Sequence, residues 1–278
     1  MKYRNRRVIW NLYVNEKALI RSGNNWEEAE IQKGVRQGCA LSPVLFNLYI
    51  QDAIQKVRQN TNGGVKIQGI KVDMLRYADD IVIIAESEEE LQRIMEEMED
   101  IMGSEYNMRI NKQKTKGMVC SKDDHVNCNL SIQNKDIHMV KEFKYLGAII
   151  TNDAKCKREI RNRISMAKRA FYNKKQLFTA KNMSIELRKK LIQVFLWNVA
   201  LYGCETWTIG KEEKRRLNNL EVWFYRRMLG IRWVDRKTNE EGCRKVNEMG
   251  NALWKSIVKR RTELVGNILR HESLLKLY

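Results

Sequence analysis

Apolar positions recur along this chain with two periods, and the change of period divides it. Between residues 87 and 102, Leu91, Ile94, Met95, Met98, Ile101 and Met102 share one side of a 3.6-residue repeat, the stripe of a helix packed by one face on a sheet. Ser87-Glu88-Glu89-Glu90 ahead of it has the form of a capping box. The glutamate-rich opposite face is most simply solvated. Leu41 to Val57 reads as another helix, begun at Pro43 with Ser42 as its N-cap. Met74 to Tyr77 and Ile81 to Ala85 predict two strands about a tight Ala78-Asp79-Asp80 turn. Thr115 to Ser121 and Phe143 to Thr151 predict further strands. Strands and helices mixed in this way imply an α+β layer, an antiparallel sheet with packed helices.

Past residue 151 the period is helical. Ile160, Ile164, Ala167 and Phe171 mark one amphipathic helix. Leu187, Leu191 and Val194 mark another, with Ser184 as its cap, and Leu217, Leu220, Phe224 and Met228 a third. Residues 240–277 add one or two more, so an all-α bundle is expected. The tryptophans after residue 190 (Trp197, Trp207, Trp223, Trp233, Trp254) read as its packing residues. The pattern implies two domains, 1–151 and 152–278.

Charge adds a partner to this picture. The 278 residues carry 52 Lys and Arg against 34 Asp and Glu, a net +18, which points to a polyanion, nucleic acid before membrane. The excess concentrates between residues 155 and 190, where thirteen Lys or Arg face only Glu159 and Glu186. Arg161, Lys168, Arg169, Lys174 and Lys175 are the candidate phosphate contacts, with salt-sensitive binding as the expected signature. The interleaved Phe171, Tyr172 and Phe178 are read as core. Six cysteines without a CxxC exclude a disulfide scaffold, and Cys120, His125, Cys128 and His138 fit no zinc spacing. The basic start, Met1 to Arg7, resembles a signal n-region, but Asn11, Asn15 and Glu16 interrupt the apolar residues after it, and no apolar run reaches membrane length. Nucleus or cytoplasm is expected, without a membrane partner.

Two segments carry candidate chemistry. In Tyr77-Ala78-Asp79-Asp80, adjacent carboxylates repel each other unless a cation neutralises them. Their hard oxygens suit Mg²⁺, with Mn²⁺ as an alternative. Alone, such a pair is more simply a polar turn. Gly34-Val35-Arg36-Gln37-Gly38-Cys39-Ala40-Leu41-Ser42-Pro43-Val44-Leu45-Phe46-Asn47 is a glycine-bearing loop entering a helix. Arg36 and Gln37 bring planar donors, Gly38 lets a backbone approach a nucleotide, and the helix start favours phosphate.

Together these segments resemble reverse transcriptase motifs in the family's order, and the chain resembles the C-terminal part of a non-LTR (LINE-type) retrotransposon reverse transcriptase. The paired-aspartate turn resembles the metal hairpin, with Asp79 and Asp80 catalytic and Tyr77 beside the nucleotide. The glycine-bearing loop resembles the segment under the incoming nucleotide, with Arg36, Gln37 and Gly38 contacting it. Asn111-Lys112-Gln113-Lys114-Thr115-Lys116 resembles the next motif, which implies Lys114 near the pyrophosphate. Phe143-Lys144-Tyr145-Leu146-Gly147 resembles the primer grip, with Tyr145, Leu146 and Gly147 holding the primer end. Group II intron maturases share the hairpin motif, but their loop tends to Gln-Gly-Gly, and Arg36-Gln37-Gly38-Cys39 favours the LINE branch. Leu201-Tyr202-Gly203-Cys204-Glu205-Thr206-Trp207 and Leu264 to His271 resemble segments that come after the polymerase core, although Gly266-Asn267 stands where relatives have Gly-His.

The resemblance implies a partial right-hand palm followed by a thumb-like helical region. It also implies magnesium-dependent transfer of dNTPs to a DNA primer on an RNA template. It leaves a gap. The family takes a third carboxylate from a strand before the loop, and residues 1–33 contain no aspartate. A fragment lacking the fingers and first catalytic strand is therefore expected, ending inside a helix near Leu274 to Tyr278. It would be either a polymerase or a catalytically dead module that still holds an RNA–DNA duplex.

Overall fold

The computed structural model describes residues 3–31, 33–67, 69–121, 128–248 and 250–271. They fall into two compact units, one within 1–112 and 131–136, the other within 113–130 and 137–278. His125 and the end of the chain from residue 272 lie outside the described residues.

The first unit opens with α1 (Tyr3–Tyr13) and the hairpin β1 (Lys17–Ser22)–β2 (Asn25–Glu30). The long α2 (Ser42–Asn60) comes next, then the hairpins β3 (Val65–Ile67)–β4 (Ile70–Val72) and β5 (Met74–Tyr77)–β6 (Asp80–Ile83), then α3 (Glu88–Ser104). After β7 (Lys116–Gly117), which belongs to the second unit, the short hairpin β8 (Ser131–Ile132)–β9 (Lys135–Asp136) returns to the first. The core lies between two helices. Ile50, Ala53, Ile54 and Val57 of α2 meet Ile94, Met98, Ile101 and Met102 of α3, with Met74 and Tyr106 closing it.

Five of the six positions on the stripe expected for α3 are buried, and Leu91 is half-buried. Three local expectations need correction. Glu90 does not close the capping box on Ser87; its carboxylate accepts from Glu86 N–H, one residue earlier (3.0 Å), while Ser87 Oγ still accepts from Glu90 N–H (3.2 Å). Ser42 is the first residue of α2 and not its N-cap, because its hydroxyl is bonded to Arg36 C=O (2.6 Å) and to the Tyr13 hydroxyl (3.2 Å). On the supposedly solvated face of α3, Glu99 is buried and accepts from Ile110 N–H (3.2 Å).

The second unit holds β7, β10 (His138–Met139) and the hairpin β11 (Glu142–Tyr145)–β12 (Ala148–Thr151). Its helices are α4 (Lys157–Asn173), α5 (Lys175–Phe178), α6 (Ile185–Ile192), α7 (Asn198–Ala200), α8 (Lys211–Met228), α9 (Asn239–Arg244) and α10 (Ala252–Arg270). A π-helical turn at Gln193–Trp197 joins α6 to α7. Phe171, Phe178 and Phe224 stack at its centre, with ring centroids 5.2 and 6.0 Å apart, and Ile160, Leu196, Leu217, Leu220 and Ile257 surround them.

The fold is α+β. Among the described residues the strands pair only two by two, so the sheet expected beneath α3 is replaced by α2 and separate hairpins. The strand expected over Thr115–Ser121 is only β7, paired in parallel with β10. Ser184 caps α6 as expected, accepting from Leu187 N–H (3.2 Å). The inward face of α6 differs in part: Leu191 packs on the core as expected, but Leu187 is exposed and Arg188 and Ile192 are buried, and in the π-helical turn beyond it Val194 is exposed and Leu196 buried. Arg188 reaches the C-terminal end of α8, donating to Met228 C=O (3.1 Å), a fitting place for a cation. Trp197 and Trp207 are core, as read from the sequence, but Trp233 is 92% exposed.

Candidate active site and nucleic-acid interface

The register of β5 and β6 builds the carboxylate tip. Tyr77 pairs with Asp80, so the turn is only Ala78-Asp79, one residue shorter than expected, and Asp80 is the first residue of a strand. Paired residues share a face of a hairpin. Met74 with Ile83, and Arg76 with Ile81, face the core, where Met74 is buried. Leu75 with Val82, and Tyr77 with Asp80, form the other face, and Tyr77 and Asp80 are exposed. Among the turn residues only Ala78 has positive φ (53°). That is the sign pattern of a type II′ turn, where glycine is usual. Holding an alanine there costs on the order of 1 kcal/mol, the kind of strain found at functional tips.

The base of the hairpin is anchored. Asp73, buried, receives Arg58 Nε (2.8 Å) and Nη2 (2.7 Å) as well as Met74 N–H (2.8 Å). Burial pushes its carboxyl up, but the Arg58 guanidinium outweighs that and leaves it below the ordinary value. Arg76 Nη2 ties β5 to α2 through Gln51 (2.8 Å).

The glycine-bearing loop is open. Gly34 and Gly38 adopt φ of 102° and 83°, conformations that other residues rarely take, and Gln37 and Gly38 face solvent. Arg36 is already engaged: it pairs with Glu16, donates Nη2 to Leu12 C=O (2.8 Å) and lies 5.8 Å from the centre of the Tyr13 ring. Cys39 sits where the loop enters α2, and the Tyr13 hydroxyl and Leu41 backbone lower its thiol to about 7.

Asp79 and Asp80 offer hard oxygens that suit a divalent cation. Among the described residues no third His, Cys, Asp or Glu joins them in a group able to hold an ion. The sequence has no aspartate ahead of Asp52. Two carboxylates from one hairpin do not complete a two-ion centre, so the residues fit the metal in kind and not in number. Lys114, exposed, belongs to the other unit.

Tyr145, Leu146 and Gly147 come together at the β11–β12 turn, where Leu146 and Gly147 both have positive φ (46° and 84°). Three residues not expected at this turn hold it, one of them, Arg163, counted in the basic run. Arg163 bonds Gly147 C=O and is paired with Glu159, both side chains being almost fully buried. Glu159 accepts from Ile149 N–H (2.8 Å). Tyr202 donates to Leu146 C=O (2.8 Å), and the Arg163 guanidinium lies 4.4 Å from the centre of its ring. The i, i+4 spacing of Glu159 and Arg163, flanking the apolar stripe of α4, was the available signal.

Of the expected phosphate contacts, Arg161, Arg169, Lys174 and Lys175 are exposed. Lys168 is half-buried, with its ammonium 5.4 Å from the Trp223 ring centre, and Lys174 lies 5.7 Å from that of Phe195. Arg163 and Arg188, counted in the basic run, are buried. Among the described residues no helix is long and apolar enough to cross a membrane.

Residues 1–150 match the family model described as reverse transcriptase (RNA-dependent DNA polymerase). The chain is 33% identical over 95 residues to a Pol polyprotein from the type-1 retrotransposable element R2 of Nasonia vitripennis, covering 33% of this chain and 9% of that protein. It is 22% identical over 231 residues to the RNA-directed DNA polymerase from mobile element jockey of Drosophila funebris, 80% of this chain and 25% of the other. A putative uncharacterized transposon-derived protein of Caenorhabditis elegans is 26% identical over 218 residues, 75% of each. This chain thus spans under a tenth of the R2 protein and a quarter of the jockey polymerase. On the match over more than half its length, this chain belongs to the reverse transcriptase family, with relatives from non-LTR retrotransposons.

Proposed function

We propose that this chain is the palm (1–151) and the basic thumb and post-thumb region (152–278) of a non-LTR retrotransposon's RNA-directed DNA polymerase. The observation that carries this reading is the tip of the β5–β6 hairpin. Tyr77, Asp79 and Asp80 stand exposed on a strained two-residue turn, inside the segment that matches the family. Asp79 and Asp80 are the metal ligands, for magnesium or manganese. Gln37, Gly38 and the outer part of Arg36 meet the dNTP, beside Tyr77. Lys114 faces the pyrophosphate. Tyr145, Leu146 and Gly147 grip the primer. Arg161, Lys168, Arg169, Lys174 and Lys175 hold the RNA–DNA duplex of template and primer through its phosphates.

Another reading applies to residues 1–278 taken alone, and the incomplete carboxylate set favours it. By themselves they hold the duplex without extending it. Primer extension separates the two. The expected result is hybrid binding with no nucleotide added in either metal. Extension gained by fusing an upstream aspartate-bearing strand from a relative, and lost in D79N of the fusion, supports the polymerase reading. Extension by the unfused chain that disappears in D79N overturns the binding-only reading and leaves the polymerase one. Failure of the chain to bind any hybrid contradicts both.

A further inference from the structure

Trp233 is the most exposed large apolar side chain among the described residues, at 92%, and its neighbour Val234 is 70% exposed. An exposed indole beside an exposed valine offers a flat apolar surface with one polar edge, which a partner can cover. The loop that carries it is pinned at both ends. Ile231 N–H bonds Arg226 C=O (2.9 Å) at the end of α8. Arg226 Nη1 donates to Lys237 C=O (2.7 Å) on the far side. Thr238 and Glu241 then close a full capping box on α9. Within the loop, Asp235 accepts Arg232 N–H (2.7 Å), and Arg236 turns the chain with φ of 48°. The indole is thus presented on a backbone already ordered, which lowers the entropic cost of binding.

The flanking charges identify the occupant. Arg232, Arg236 and Lys237 are all exposed; Asp235, the one acid among them, accepts Arg232 N–H and lies 3.9 Å from the Arg232 guanidinium, which leaves Arg236 and Lys237 as the cations without an ion pair among the described residues. The chain's excess of positive charge, +18, favours a polyanion over a second protein as that occupant. An exposed aromatic flanked in sequence by cations matches an unpaired base with its phosphates, where stacking supplies the affinity and charge the attraction.

We propose that the Trp233 loop is a base-stacking site for the single-stranded extension of a template–primer duplex, separate from the phosphate contacts on α4 and α5. The site rests on the reading that this unit holds such a duplex. The test is fluorescence anisotropy with two RNA–DNA hybrids that share a duplex and the overhang's phosphates. One overhang carries bases and the other is abasic. The wild-type chain prefers the base-bearing overhang by about tenfold, within the range for one stacked base. W233F keeps the preference and W233A loses it, with equal affinity for both probes. Because the side chain is exposed, neither variant disturbs the core.

A wild-type chain that binds both hybrids equally, or a W233A chain that still prefers bases, overturns the stacking site and leaves the duplex reading intact. A wild-type chain that binds neither removes the duplex reading and this site with it. Self-association lost in W233A by sedimentation, with no change in nucleic-acid affinity, makes the loop a protein interface and overturns the proposal.

Discussion

In the first unit the buried carboxylate of Asp73 meets a guanidinium, and its proton is held less tightly than usual. In the second unit the carboxylate of Glu221, fully buried, meets Ala252 N–H (3.2 Å), Leu253 N–H (3.0 Å) and the Tyr225 hydroxyl (3.1 Å), with no cation among those partners. Burial dominates there and pushes the carboxyl up. The thiols divide the same way. Cys39, beside the loop, is lowered to about 7 by the Tyr13 hydroxyl and backbone, while burial pushes Cys204 up to about 11 and raises Cys243. The first unit leaves Asp79, Asp80, Gln37 and Gly38 in water, and no residue of α1 is buried. The second encloses the Glu221 carboxylate and the Glu159–Arg163 pair. A surface that takes up a nucleotide needs the first arrangement, and a scaffold that holds a hairpin steady needs the second.

The largest effect comes from breaking the enclosed ion pair. Arg163→Leu leaves the Glu159 carboxylate buried and unpaired, and denaturant unfolding of the second unit should show a loss of about 3–5 kcal/mol. Arg58→Leu, its counterpart under Asp73, removes a guanidinium that is 45% exposed. It should cost the first unit about 1–3 kcal/mol. Equal losses would erase the contrast.

Acid sharpens it next. Asp73 is lowered in the fold, so its contribution is present above its unfolded value and lost as pH falls through the folded value. Glu221 is raised, so its contribution is present below its unfolded value and lost as pH rises through the folded one. Mild acidification, while Asp73 is still charged, should therefore stabilise the second unit, and Glu221→Gln should abolish that gain. Stronger acid should destabilise the first unit, and Arg58→Leu should blunt that loss. Exchange mass spectrometry resolves the units, and parallel pH responses would contradict the assignment.

The smallest effect is chemical. Iodoacetamide at neutral pH should label Cys39 before Cys204 and Cys243, and Tyr13→Phe should slow Cys39 several-fold by raising its thiol. Labelling of Cys204 in the folded chain at a rate like that of Cys39 would show the second unit to be less closed than its packing implies.

Much of this was legible in the residues. The stripes of α3 and α8, the Ser184 cap and the paired carboxylates at a turn arise from local periodicity and short-range hydrogen bonding. What local pattern does not carry is the partner across the fold. Leu187, Leu191 and Val194 have the spacing of an inward face, and Leu191 does pack on the core, but Leu187 and Val194 are exposed and the helix turns Arg188 inward to reach the last carbonyl of α8. The basic run hides Arg163, whose role lies on a turn sixteen residues away. Trp233 is core by residue type alone, and only the pinned loop shows that it is not.

The basic helices of the second unit are proposed to hold a duplex through its phosphates. The most direct measurement of this is the affinity for an RNA–DNA hybrid as salt is varied, for the wild-type chain and a variant with Arg161, Arg169, Lys174 and Lys175 changed to glutamine. Log affinity is expected to fall linearly with log salt, with a slope shallower by about one for each phosphate contact removed. A slope identical in the two chains, or an affinity indifferent to salt, would contradict it.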